Sequence, residues 1–92
     1  MAAAVLATVA AVAGARARNA HDRSGEAYVV VLRADGTLPP AWPAGFDRSA
    51  LVEGPVAVVD MLLNDYGLPN GPPALPIARR NTLARCIGTT LV

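Results

Sequence analysis

Apolar and polar positions divide this chain into a few clear blocks. From Met1 to Ala15 every residue except Thr8 is Ala, Val, Leu, Met or Gly, and the first charge is Arg16. Alanine has the highest helix propensity. Val5, Val9 and Val12, with Leu6 beside them, recur at the spacing of one helical face. The pattern predicts an Ala-rich helix over Met1–Ala17, with Arg16 and Arg18 placed where positive charge complements the helix dipole. Asn19 to Glu26 is polar and reads as a loop that carries the sole histidine, His21.

Ala27 to Leu32, AYVVVL, is a continuous apolar run rich in β-branched residues. Such a run predicts a strand, and its lack of alternation predicts burial on both faces. Asp35-Gly36 is a hairpin-type turn signal. Any return strand is limited to Thr37-Leu38, because Pro39 and Pro40 cannot donate to a ladder. Pro39 to Phe46 reads as a loop holding Trp42 and Phe46.

The clearest helix runs from Pro55 to Tyr66. Proline suits a first helical position, Gly67 suits the left-handed residue after a helix end, and Pro69 stops continuation. Asp47 or Ser49 is placed to cap an earlier start. Val58, Val59, Leu62, Leu63 and Tyr66 share one face, opposite a stripe containing Asp60 and Asn64. Burying those five is worth on the order of 8–15 kcal/mol before entropy, so Leu62→Asp is expected to unfold the domain. Gly67 to Pro76 is a stiff, Pro-rich connection with two weak P-x-x-P matches. Ala78 to Ile87 predicts a further helix, with Ile77, Ala84 and Ile87 close to one face and Gly88 ending it. Thr89–Val92 is a candidate terminal strand, able to pair with Ala27–Leu32.

Together these elements predict one small α+β domain over residues 1–92: an N-terminal helix followed by an 18–92 body. One strong strand cannot form a stable sheet alone. The expected architecture therefore needs Thr89–Val92, Leu38 or a strand from another chain.

Composition changes that picture in two ways. Apolar residues make up 53% and charged residues 16% of 92 residues, against typical shares of roughly 45–50% and about 25%. This excludes a highly charged disordered chain and implies apolar surface left for a partner or oligomer. Lysine and glutamine are absent, and all eight basic residues are Arg. Codon bias in a GC-rich bacterial or phage genome is the expected cause, and selection of Arg for bidentate phosphate or carboxylate contacts is the alternative.

The apolar start raises the question of compartment. A secretory signal would have its apolar region at Ala2–Ala13 and cleavage-like tripeptides near Ala15. Its positive charges, however, follow the apolar run instead of preceding it. The run is also shorter than the ~20 residues of a membrane span. The expected reading is a retained helix in a cytoplasmic protein. Secretion, periplasmic export or membrane association through 1–17 is the alternative.

Candidate chemistry is sparse. One His, one Cys and two Glu do not make a recognisable zinc pattern. Ser24 or Ser49 with His21 and Asp60 has no supporting motif. The glycines lack phosphate-loop spacing. No catalytic, cofactor or metal residue is therefore assigned, and the expectation is a protein that is not an enzyme. Cys86 reads as a small buried hydrophobe.

Net charge is only +1, which argues against a strong field for nucleic acid. Arg16, Arg18 and Arg23, and separately Arg79, Arg80 and Arg85, form two groups able to contact phosphate if they converge. The expected function is a small accessory or structural subunit acting through protein–protein contacts, with a protein partner or as a homo-oligomer. Trp42, Phe46, Tyr28 and Val30 are the candidate contact residues. A weak Arg-mediated nucleic-acid binder is a further alternative.

Overall fold

A computed structural model describes residues 2–21 and 26–89, with side chains from residue 8 onward. The described residues form four helices: α1 (Ala2–Ala20), α2 (Arg48–Glu53), α3 (Val56–Asp65) and α4 (Pro76–Ile87). Among the described residues the only β pairing is an isolated antiparallel bridge between Ala27 and Asp47. The α+β expectation is therefore corrected: among the described residues the fold is helical and has no sheet.

Ala27–Leu32 is extended but is not a strand, and its backbone partners explain why. Tyr28 N–H donates to the Phe46 carbonyl at 2.7 Å. Val29 is held on both sides by the Asn19 side chain. The Val31 carbonyl accepts from the Tyr66 hydroxyl at 2.6 Å. Helix side chains and a loop carbonyl thus do the work of a neighbouring strand. The Asp35-Gly36 turn does form, closed by Arg33 N–H on the Thr37 carbonyl at 2.9 Å. It joins no ladder, since the chain then enters Pro39-Pro40. Thr89 is buried just after α4. The rest of the suggested Thr89–Val92 strand lies outside the described residues.

Each helix is bounded by local chemistry. Asp47 caps α2 by accepting from Ala50 N–H at 2.9 Å, so the predicted early cap starts a separate short helix. Pro55 precedes α3. At the α3 end, Gly67 takes φ +70°. Its N–H reaches the Asn64 carbonyl and that of Leu68 reaches Leu63. This paired closure satisfies carbonyls that have no intrahelical donor. Gly88 repeats the arrangement at α4, with Thr89 N–H on the Ala84 carbonyl.

Among the described side chains of α1, Ala15 and Asn19 are buried, Thr8 and Val12 are partly covered and Val9 is 60% exposed, while the side chains of Val5 and Leu6 lie outside the description. Helix α4 is the hub, packing against α1, α2 and most extensively α3. It contributes Leu83, Ala84 and Ile87 to the core; α3 contributes Val59, Leu62 and Leu63. Ile77 shares a stripe with Ala84 but stays exposed, because it sits in the first turn of α4, beyond the packed region. Tyr28 and Phe46 close the core from the loop side, their ring centroids 5.9 Å apart.

Candidate functional site

The four aromatic and aliphatic contact candidates do not form an exposed surface. Phe46 is 1% and Tyr28 6% exposed, both within the core. Trp42 is half-buried and packs edge-on against Phe46, with centroids 5.1 Å apart. Val30 is half-buried. The rings satisfy one another, which leaves only the outer part of Trp42 for a partner.

Among the described residues the two arginine groups meet only at Arg16 and Arg85. Arg79 is 7% exposed and pairs with Asp60 at 2.5 Å. Arg80 donates to the carbonyls of Leu51 at 2.8 Å and Gly54 at 2.5 Å, joining α4 to the end of α2. These two guanidinium groups therefore serve the fold. Arg16 and Arg85 do lie together, the former donating to the Arg85 carbonyl at 3.1 Å. Arg18 is exposed on α1, and Arg23 lies outside the described residues.

No group of three or more His, Cys, Asp or Glu side chains converges among the described residues. His21 is exposed at the end of α1, while Asp22 and Ser24 lie outside the described residues. Cys86 is half-buried and free. Burial pushes its thiol pKa up, against a smaller opposing pull from the Arg16 charge, so the unreactive thiol predominates at neutral pH. No helix among the described residues is long and apolar enough to cross a membrane.

The most distinctive surface lies in a segment that reads as a connection. Every residue from Pro72 to Ala78 is exposed, and none carries a polar side chain. Leu75 and Ile77 project furthest, at 68% and 67% exposure. Their backbone is held in place. Asp60 accepts from Gly71 N–H at 3.0 Å on one side of the run and pairs with Arg79 on the other. One carboxylate thus pins both ends. The Gly71 N–H, chiefly, and Arg79 hold the Asp60 pKa below the usual carboxylate value. Three prolines restrict the backbone between these anchors. The readable signal is the absence of any polar letter from Pro72 to Ala78, which a search for aromatic anchors passes over.

Compared with protein-family models, with curated proteins and with solved structures, the chain gives no significant match.

Proposed function

We propose that this protein is a small, non-enzymatic accessory subunit that acts through protein–protein contacts. The observation that carries the reading is the apolar run Pro72–Ala78, exposed along its whole length and anchored at both ends. Contiguous exposed apolar surface on a small domain marks a place where another molecule binds. A backbone already restricted by prolines loses little further freedom on association. Leu75 and Ile77 are the principal contacts in this reading, with Trp42 secondary.

The same reading keeps α1 in the mature protein and places it in the cytoplasm. Retention of α1 is supported by the burial of Ala15 and Asn19 in the body of the domain. Cleavage near Ala15 would strip Val12 and Ala15 from the core. Light scattering after size exclusion of protein from its native lysate tests the proposal. A particle heavier than the 9.4 kDa chain is expected. A well-folded monomer with no co-purifying protein would overturn it.

A further inference from the structure

A shallow hollow of about 420 Å³, widely open to solvent, lies between α1, α4 and the extended segment. Its walls are largely apolar, supplied by Val12, Val31, Leu32 and Leu68. Arg16 and Arg85 stand in the same lining, and no carboxylate does. Arg16 spends one N–H on the Arg85 carbonyl, while the Arg85 guanidinium has no ion pair among the described residues. Tyr66 also lines the hollow, but its hydroxyl proton is already committed to the Val31 carbonyl. The volume lies in the range of small-molecule sites, roughly 300–1,000 Å³. Guanidinium groups bind carboxylates with paired N–H donors. We propose that this hollow binds a free medium-chain carboxylate, its head on Arg16 and Arg85 and its chain along the apolar walls. Charge complementarity selects the anion, and the apolar lining selects the hydrocarbon chain.

The test titrates octanoate, decanoate and dodecanoate into the full chain. It follows backbone NMR shifts and alkylation of Cys86, which also lines the hollow. Saturable binding at one equivalent is expected, centred on Val31, Leu32 and Thr82. Each added methylene should strengthen it roughly fourfold until the hollow is full. Bound decanoate should slow Cys86 alkylation. Decanol should bind at least tenfold more weakly, and Arg85→Gln should weaken decanoate without changing decanol. Non-saturating shifts, equal binding of decanol and decanoate, or indifference to Arg85→Gln would overturn the proposal. So would binding to phosphatidylglycerol vesicles with none to free decanoate.

Discussion

The Asn19 side chain pairs with both backbone polar groups of Val29, accepting from its N–H at 2.7 Å and donating to its carbonyl at 3.0 Å. The same amide nitrogen donates to the Ile87 carbonyl at 2.8 Å. One buried side chain thus joins the end of α1, the extended segment and the end of α4. Low local dielectric strengthens such bonds and makes their loss costly.

Asn19→Ala leaves one N–H and two carbonyls without these partners. A destabilisation of about 2–4 kcal/mol is expected from such buried groups, read as a lower urea midpoint. Asn19→Asp should cost at least as much, because it sets a carboxylate against two carbonyl oxygens in place of a donor.

Gly88 and Gly67 both occupy the left-handed region, at φ +96° and +70°. Their surroundings differ. A Cβ at Gly88 would collide with the Arg16 carbonyl oxygen and come within 2.6 Å of the Arg16 Cα, whereas at Gly67 it would meet nothing within 4 Å. Gly67→Ala should therefore carry only the backbone penalty of about 1–2 kcal/mol. Gly88→Ala should cost clearly more and separate α1 from α4. Chemical denaturation of the two variants side by side checks this difference.

Part of this architecture is legible in the chain, and the rest depends on contacts distant in sequence. The Pro and Gly punctuation around α3 and the Gly88 stop announce themselves locally, and so does the Ala-rich start of α1. The apolar run at Ala27–Leu32 meets every local criterion for a strand. What it lacks is another strand; its partners are Asn19, Phe46 and Tyr66, and no local pattern names them. Arg79 reads as a surface residue for the same reason, since Asp60 lies on another helix. The aromatic candidates gave no local sign that Tyr28 and Trp42 pack on Phe46. Pro72–Ala78 was readable as a polar-free stretch, but its exposure depends on how α3 and α4 pack.

The Asp60–Arg79 pair predicts a pH-dependent stability difference. The folded-state pKa of Asp60 is lowered by Gly71 N–H and Arg79. Its contribution is therefore full above the unfolded value of about 3.9 and is lost as pH falls through the folded value. Asp60→Asn leaves a buried guanidinium without its counter-charge and should cost about 3 kcal/mol at pH 7. The gap between variant and wild type should shrink as pH falls below about 4. Urea midpoints across that range supply the check, and a constant gap would show that Asp60 acts only by shape.

The exposed run Pro72–Ala78 carries the functional reading, so its charge-substituted form is the decisive variant. Leu75→Asp with Ile77→Asp alters two exposed side chains and should leave the helical circular-dichroism spectrum unchanged. Sedimentation of labelled wild-type and variant protein in extract of the producing cells compares them directly. The account predicts that wild type travels in a particle larger than 9.4 kDa and that the folded variant travels as the free chain. Identical sedimentation of the two, whether as monomers or as complexes, would contradict it.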